Sequence, residues 1–193
     1  MPTRIPGLRY LSHYLSPNDQ TRLLETIDRQ TWSNELRRRV QHYGYRYDYK
    51  KRTVDPSMYL GPLPDWLGRL AACMNRDGLS PSVPDQVIIN EYQPGQGIAS
   101  HVDCEPCFGD TIISLSLGSP CVMVFTNLRT RDDIEMLLEP GSLLIMQGEA
   151  RHRWMHGIPA RKTDVFNGQS IVRNRRVSVT LRTVILEKRS SPS

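Results

Sequence analysis

Cysteine is scarce in this sequence, and long apolar runs are missing from it. Its 193 residues include four cysteines, too few for a disulfide framework at this length, and the one close pair is Cys104 and Cys107. We therefore expect reduced thiols and a cytoplasmic location, or a nuclear one if the source is a eukaryote. No stretch approaches the roughly 18 consecutive apolar residues of a membrane-spanning helix. The opening MPTRIPGLRY has two Arg and two Pro where a secretory signal needs an apolar core, so we expect no contact with a membrane.

The composition is that of a globular domain with a small excess of positive charge. Hydrophobic residues make up 38% of the chain and charged residues 23%, and 25 Lys and Arg against 20 Asp and Glu give a net charge of +5. At about 150 residues per domain, we expect one monomeric domain over residues 1–187, with helices and a basic segment before about residue 86. A flexible polar tail is expected at 188–193. The positive charge is compatible with a phosphate-bearing partner.

Two segments carry the signals of amphipathic helices. Ser16 followed by Pro17 has the form of an N-cap with a first-turn proline, and leucine and isoleucine then recur at helical spacing. The pattern predicts a helix that ends near Trp32. A second, shorter helix is predicted over residues 65–74, after a Pro-Leu-Pro breaker.

Beyond residue 86 the apolar residues follow the pattern of short strands. Seven runs rich in β-branched and apolar residues are separated mostly by Gly, Pro, Asp or Asn. These runs are Val87–Tyr92, Thr111–Leu117, Cys121–Phe125, Ile134–Leu138, Ser142–Met146, Arg153–His156 and Val177–Ile185. No helical segment of ordinary length separates them, which disfavours parallel βαβ units. The sequence predicts an α+β, mainly β fold, built as a sandwich, a jelly roll or a barrel.

Three polar residues form a candidate metal site. His101 and Asp103 are two apart, so their side chains leave the same face of an extended backbone. His156, on another predicted strand, completes a set of two histidines and one carboxylate. Such a set leaves three positions of an octahedral ion open, as in non-haem Fe(II) sites that activate O2 with a co-substrate.

Other residues near this set could be mistaken for ligands. His152 shares strand parity with His156, but it lies between two arginines whose charges disfavour a cation. Cys104 follows Asp103 directly, so its side chain points the other way, and we interpret it and Cys107 as core or rim thiols. We therefore prefer His156 as the second imidazole.

The last predicted strand carries a candidate anion site. In RVSVTLR, Arg176 and Arg182 share one face with a Ser and a Thr, while three apolar residues occupy the other face. A guanidinium inside a sheet domain needs an anion, and it binds a carboxylate through two parallel hydrogen bonds. Asn90 and Tyr92 share a face of an earlier strand and could bind the same small acid. The alternatives are a solvated outer face for the arginines and core filling for the tyrosine.

Three longer segments of the chain carry a family likeness. They are IINEYQPGQGIASHVDCEPCFGDTIISLSLG, the stretch from Gly141 through GEARHRWMHGI, and RRVSVTLR. In this order and spacing they resemble the AlkB family of Fe(II)- and 2-oxoglutarate-dependent dioxygenases, over most of residues 40–184. The resemblance implies a double-stranded β-helix of jelly-roll type over about residues 86–187, with the N-terminal helices packed outside.

The resemblance also implies roles for the candidate residues. His101, Asp103 and His156 look like the catalytic iron ligands, with Fe(II), 2-oxoglutarate and O2 as the cofactor and co-substrates. The residues that look like 2-oxoglutarate contacts are Asn90, Tyr92, Arg176 and Arg182, with Arg176 pairing the distal carboxylate. Ser178 stands where the family's closing pattern has Asn, which removes one expected polar contact.

The implied reaction is the oxidation of an alkyl carbon on a base nitrogen of alkylated DNA or RNA. It releases an aldehyde, succinate and CO2, and so reverses alkylation damage directly. A base must leave its stack to be reached, and residues 37–52, with four Tyr and seven cations, resemble the family's nucleotide-recognition lid. We expect the substrate contacts to include Tyr45, Tyr47, Arg39 and Arg46, and the phosphate contacts to include Lys50 and Lys51 as well as the two arginines.

One acidic residue bears on the choice of substrate. Glu105 matches the acidic position that lies beside the damaged base in base-repair members, and a carboxylate favours a cationic alkylated base. The segments YGYRYDY and NEYQPGQGI are also similar to the family's tRNA wobble-uridine hydroxylases, which have a different residue there. Glu105 favours dealkylation over uridine hydroxylation. A protein-directed hydroxylase or demethylase and a binding module without turnover remain alternatives.

Overall fold

The first third of the chain supplies two helices and two short strands. The structure is a computed structural model that describes residues 4–186, so the predicted tail at 188–193 lies outside the described residues. The elements are β1 (Leu8–Leu11), α1 (Pro17–Asp28), β2 (Val40–Tyr43), a 3-10 turn (Pro56–Met58) and α2 (Asp65–Arg76). Ser16 caps α1 as predicted, because its Oγ accepts a hydrogen bond of 3.2 Å from the Asp19 N–H. The helix ends at Asp28, four residues before the predicted end.

The remainder of the chain is mainly strand. Its elements are β3 (Gln86–Tyr92), β4 (Ile98–His101), β5 (Ile112–Gly118), β6 (Cys121–Asn127), β7 (Asp133–Leu138), β8 (Leu143–Met146), α3 (Gly148–His152), β9 (Trp154–Ile158), β10 (Thr163–Phe166), β11 (Gln169–Val172) and β12 (Arg176–Arg182). All seven predicted runs correspond to strands, and β4 provides the extended backbone expected at His101. The strands β1, β2, β10 and β11 were not predicted.

The strands form two facing antiparallel sheets of the predicted double-stranded β-helix, or jelly roll. The larger sheet has the order β1-β8-β5-β12-β3-β2, the smaller one has the order β4-β9-β6-β7, and β10 and β11 form a separate hairpin. The strand β12 lies inside the larger sheet, paired with both β3 and β5. The alternation predicted for RVSVTLR therefore separates two environments, one on each face of this sheet.

Apolar side chains pack on both faces of the larger sheet. On its outer face, Ile27 of α1 and Leu67 of α2 belong to one buried cluster with Val177 and Val179 of β12. The expectation that the helices pack outside the β core is thus confirmed. On its inner face, a second cluster joins residues of both sheets, and the polar side of β12 faces a cavity there. Within residues 4–186, no helix is both long and apolar enough to cross a membrane.

Candidate metal centre and active-site cavity

Two neighbouring strands bring the candidate ligands together. In the antiparallel pair β4–β9, His101 lies directly opposite His156, and their ring centroids are 4.5 Å apart. Gly157 allows the close approach, since a Cβ there would lie 2.9 Å from the backbone of Ser100. Asp103 follows β4, and one ligand atom from each of the three side chains lies within 4.8 Å of the other two. The geometry thus unites the three residues that the sequence singled out.

The protonation states suit a divalent cation. Nδ1 of His101 lies 2.8 Å from the Ala99 carbonyl oxygen, so the ring carries its proton on Nδ1 and leaves Nε2 as the ligand atom. Burial lowers the pKa of His156 to about 4, so this imidazole is neutral at pH 7. Burial raises the pKa of Asp103, but nearby Arg182 and the two histidines outweigh it and hold that pKa below its usual value. Two imidazoles and one carboxylate fit Fe(II) and leave coordination positions for other molecules.

Two arginines hold the loop that carries Asp103. Arg182 donates from Nη1 to Oδ1 of Asp103 over 3.1 Å and from Nε to the Gln86 side-chain oxygen over 2.9 Å. Its guanidinium also stacks on Phe108, 3.8 Å from the ring centroid. Arg151, which is buried, donates to the backbone oxygen of Asp103 over 2.9 Å. Asp103 is therefore fixed through both its side chain and its backbone.

The expectation of reduced thiols is wrong for the loop that follows Asp103. Cys104 and Cys107 are joined by a disulfide bond, and both residues are buried. The C-x-x-C spacing permits this bond because the turn brings the two Cα atoms to 5.3 Å. Cys73 and Cys121 are free, as expected. Cys104 lies at the rim of the cavity, but as half of a disulfide rather than as a thiol.

Arg176 is a buried cation whose hydrogen-bonding capacity is only partly used. The residue is 3% exposed, and its Nη2 donates to Ser116 Oγ over 2.9 Å. Nε and Nη1 have no hydrogen-bond partner among the described residues, and the guanidinium lies 5.4 Å from the Tyr92 ring centroid. A buried charge without partners is unfavourable. The planar guanidinium fits a carboxylate, so the residue is suited to the distal carboxylate of 2-oxoglutarate.

A cavity of about 340 Å³ extends from the ligand set to Arg176 between the two sheets. The predicted co-substrate contacts Asn90, Tyr92 and Arg182 line it, although Arg182 is already bound to Asp103. Ser178 also lines it, and it pairs in register with Asn90. The apolar part of the wall includes Ile88, Ile98, Ala99, Val102, Ile112, Met123, Leu144, Met146 and Ile158.

The predicted substrate residues are divided between the cavity and the protein surface. Tyr47 lines the cavity and packs on Phe108, with ring centroids 5.6 Å apart. Tyr45 packs instead on Tyr59, at 5.0 Å. Arg46 is paired with Glu35 over 2.7 Å on the exposed surface. Lys50 and Lys51 belong to an exposed turn in which both backbone N–H groups donate to the Asp48 carboxylate.

Arg39 points away from the cavity. Its Nε and Nη2 donate to the two carboxylate oxygens of Glu91 over 2.6 and 2.8 Å. Because Glu91 alternates with Asn90 and Tyr92 along β3, it faces the opposite side of the sheet from them. Arg39 therefore belongs to an ion pair on the outer side.

Glu105 does not line the cavity. It belongs to an exposed cluster in which His152 lies between two carboxylates, with Nδ1 2.9 Å from Glu105 and Nε2 2.8 Å from Asp110. The side chain of Glu105 is 54% exposed. His152 ends the short helix α3 and is not part of the ligand set.

Three cavity residues belong to the predicted lid at residues 37–52 but were not singled out there as substrate contacts. Arg38, Tyr49 and Arg52 all line the cavity from the lid segment. The sequence did contain a signal for Arg38, because it lies between two other arginines. Neighbouring side chains of an extended segment point to opposite sides, so Arg38 faces away from the side that Arg37 and Arg39 face. Tyr49 and Arg52 lie in an irregular turn, where no periodic pattern indicates direction.

The comparisons with known proteins agree with this geometry. Residues 7–182 match the family described as the 2OG-Fe(II) oxygenase superfamily. The chain is 30% identical over 167 residues to the bovine protein "Alpha-ketoglutarate-dependent dioxygenase alkB homolog 7, mitochondrial" (Bos taurus), an alignment that covers 83% of this chain and 75% of that one. It is 41% identical over 182 residues to "tRNA (carboxymethyluridine(34)-5-O)-methyltransferase alkbh8" of Xenopus tropicalis. That alignment covers 88% of this chain but 28% of the Xenopus protein.

A solved structure has the same fold. The structure titled "The structure of OsALKBH1" superposes with a TM-score of 0.70 and covers 95% of this chain and 99% of its own. Sequence identity between the two is 17%, so the likeness concerns the fold.

Proposed function

The chain belongs to the AlkB family of the 2OG-Fe(II) oxygenase superfamily, and on this basis we propose that it hydroxylates a substituent on a nucleobase. The family's reaction uses Fe(II), 2-oxoglutarate and O2, which makes the protein a dioxygenase. The ligand set and the cavity come from a single chain, so the proposal needs no second copy.

Different residues of the chain have different roles around the metal site. His101, Asp103 and His156 would hold Fe(II), which with 2-oxoglutarate and O2 supplies the oxidation of a C–H bond and releases succinate and CO2. Arg176 binds the distal carboxylate of 2-oxoglutarate, and Arg182 keeps Asp103 ionised and oriented. The apolar wall limits the access of water to the reacting carbon.

The lid side of the cavity is the observation that supports a nucleobase as the substrate. Tyr47 and Tyr49 both line the cavity there, with ring centroids 5.0 Å apart. Arg38 and Arg52 line the same region. Aromatic faces stack on unstacked bases, and guanidinium groups bind the phosphates beside them.

The charges of the cavity favour an uncharged or anionic substituent. Arg38, Arg52, Arg176 and Arg182 line it, while Asp103 is the one carboxylate among its described lining residues. A surplus of positive charge disfavours a cationic base and favours a neutral or acidic group. We therefore propose hydroxylation of a uridine side chain in tRNA, a substrate class related to the carboxymethyluridine in the Xenopus relative's name.

Dealkylation of N-alkylated bases in DNA or RNA is the second candidate. The faces of Tyr47 and Tyr49 attract cations, which favours an alkylated, positively charged base beside them. Glu105 gives this candidate no support, since its carboxylate is exposed and bound to His152.

The two candidates give different products from one panel of oligonucleotides. RNA hairpins with 5-carboxymethyluridine or its methyl ester, and DNA and RNA strands with N-methylated or etheno bases, are incubated with protein, Fe(II), ascorbate and 2-oxoglutarate. Mass spectrometry should show the gain of one oxygen atom on the uridine side chain. Loss of the alkyl group from an N-alkylated base, with release of an aldehyde, would favour the second candidate. Intact oligonucleotides throughout the panel would contradict both.

A further inference from the structure

The lid segment, residues 37–52, begins with three consecutive arginines. Hydrogen bonds of their backbone determine which of the three side chains faces the cavity. The Arg39 carbonyl oxygen accepts a hydrogen bond of 3.0 Å from the Glu91 N–H, and the Arg37 carbonyl oxygen accepts one of 2.9 Å from the Gln96 side chain. These bonds hold residues 37–39 along the edge of β3. Since Arg39 points outward to Glu91, its neighbour Arg38 points inward, and Arg38 lines the cavity.

The contacts of Arg38 orient its guanidinium but use only part of it. Nε donates to Asn90 Oδ1 over 2.9 Å, and the guanidinium carbon lies 5.9 Å from the ring centroids of Tyr49 and Tyr92. Within residues 4–186, neither Nη1 nor Nη2 of Arg38 has a hydrogen-bond partner. The free end of an oriented guanidinium can bind a carboxylate or phosphate through two parallel hydrogen bonds.

The co-substrate does not account for this free end. Arg38 and Arg176 lie near the same Tyr92 ring, at 5.9 and 5.4 Å, but Arg176 is buried while Arg38 is partly exposed. Under the proposed function, Arg176 and the metal centre would bind the two carboxylates of 2-oxoglutarate, and Arg182 already binds Asp103. Arg38 is thus a cation at the exposed side of the cavity that lacks a matching anion within the described chain.

We propose that Arg38 binds an anionic group of the target nucleotide and so determines which nucleotide is accepted. The inference rests on the proposed function, because it places a nucleotide in the cavity. The chemistry is that of a phosphate or a carboxylate, and it has two sources: the phosphate next to the target nucleoside, or an acidic group on the base itself. Arg38 acts as a specificity-determining residue, distinct from the groups that hold the metal and 2-oxoglutarate.

The test compares Arg38→Met with Arg37→Met, which removes the same charge from the exposed neighbouring residue. The oligonucleotide is the one that the wild type oxidises best in the panel above. In Arg38→Met, the KM for this oligonucleotide should rise about tenfold or more. The Kd for the same oligonucleotide, measured by fluorescence anisotropy on metal-free protein, should rise by a similar factor. Arg37→Met should change both less than about threefold. The KM for 2-oxoglutarate should stay unchanged in both variants.

Two further arms identify the source of the anion. A methylphosphonate beside the target nucleoside removes the phosphate charge, and a methyl ester removes the charge of a base carboxylate. The modification that abolishes the difference between the wild type and Arg38→Met marks the group that Arg38 binds. Arg38→Lys, which keeps the charge but loses the planar fork, should recover part of the affinity.

Several results would overturn the proposal. One is a rise in the KM for 2-oxoglutarate with oligonucleotide binding unchanged, which would make Arg38 a support for Asn90. Another is an equal loss in Arg37→Met and Arg38→Met, which would indicate a general charge effect. A third is a difference that survives both charge-removing modifications. If the wild type oxidises no oligonucleotide, it is the proposed function that fails.

Discussion

Arg182 joins the two sheets at the metal centre, because it extends from β12 of the larger sheet and donates a 3.1 Å hydrogen bond to Asp103, which follows β4 of the smaller sheet. The same guanidinium is held by Gln86 and stacks on Phe108. The position of the candidate carboxylate ligand therefore depends on a residue outside the candidate ligand set. Such supporting residues commonly tune metal affinity.

We expect Arg182→Met to weaken Fe(II) binding about 10–100-fold, since Asp103 loses the donor that orients it and keeps it ionised. Anaerobic titration of the metal-free protein measures the affinity. Arg153→Met, which removes an exposed arginine just before β9, serves as the control and should bind Fe(II) like the wild type. Equal affinities in Arg182→Met and the wild type would show that the contact has no effect on the metal.

Arg176→Met should abolish the binding of 2-oxoglutarate without lowering the stability of the protein. The variant removes a buried cation with two unpaired nitrogen atoms, so the metal-free protein should be as stable as the wild type or more stable. Saturating 2-oxoglutarate at about 100 times its Kd should stabilise the Fe(II)-loaded wild type by about 2.7 kcal/mol. In the variant this gain should disappear at the same concentration. Thermal unfolding with and without 2-oxoglutarate measures both effects.

A destabilised Arg176→Met that still responds to 2-oxoglutarate would contradict this assignment. It would mean that Arg176 supports the fold through its bond to Ser116 and that another cation binds the co-substrate. Arg175→Met is not a suitable control, because Arg175 bridges Glu91 and Asp28 on the outer face.

His42 should make the metal-free protein less stable in acid. Burial lowers its pKa from 6.5 to about 4, and both ring nitrogens lack hydrogen-bond partners among the described residues. The unfolded chain binds a proton below about pH 6.5, whereas the folded chain binds it only near pH 4. The contribution of His42 to the free energy of unfolding is therefore fully present above pH 6.5. About 3 kcal/mol of this free energy is lost as the pH falls toward 4.

His42→Phe tests this dependence by difference. Denaturant unfolding of metal-free wild type and variant is compared at several pH values from 7 to 4. The variant should lose less stability than the wild type across this range, while His156 contributes equally to both. Parallel pH profiles for the two proteins would show that His42 titrates normally in the folded state.

The disulfide between Cys104 and Cys107 can be tested by counting the reactive thiols before and after reduction. Protein denatured without reductant should react with an alkylating agent at Cys73 and Cys121 only, and reduction should expose the other two. Because the bond closes a short loop, the Cys104→Ser, Cys107→Ser double variant should lose about 2 kcal/mol of unfolding free energy. Four reactive thiols before reduction would contradict the bond.

The sequence predicted best those features that depend on strand periodicity. The two-residue spacing placed His101 and Asp103 on one side, and the alternation in RVSVTLR placed Arg176 and Arg182 on the cavity face of β12. The alternation held in β12 because a buried strand forces successive side chains to opposite faces, and Asp103 lies just beyond the end of β4. The pairing of β4 with β9 supplied what periodicity could not, namely the position of His156 opposite His101.

Features that depend on distant partners were predicted less well. Glu105 meets His152, 47 positions later in the chain, and Arg39 meets Glu91, 52 positions later, and neither pairing has a local signal. Cys104 and Cys107 pair because a turn, rather than a strand, follows Asp103. Side-chain direction in the irregular turn at residues 49–52 was equally hidden, which is why the cavity positions of Tyr49 and Arg52 appeared only in the structure.

The most direct measurement for the whole account is anaerobic Fe(II) binding by the wild type and four alanine variants. We predict that His101→Ala, Asp103→Ala and His156→Ala each weaken binding by more than about 100-fold, since even outer partners are commonly worth 10–100-fold. His152→Ala should bind Fe(II) like the wild type, because its ring is engaged by Glu105 and Asp110. Loss of Fe(II) binding in His152→Ala with retention in His156→Ala would contradict the account, as would unchanged binding in all four variants.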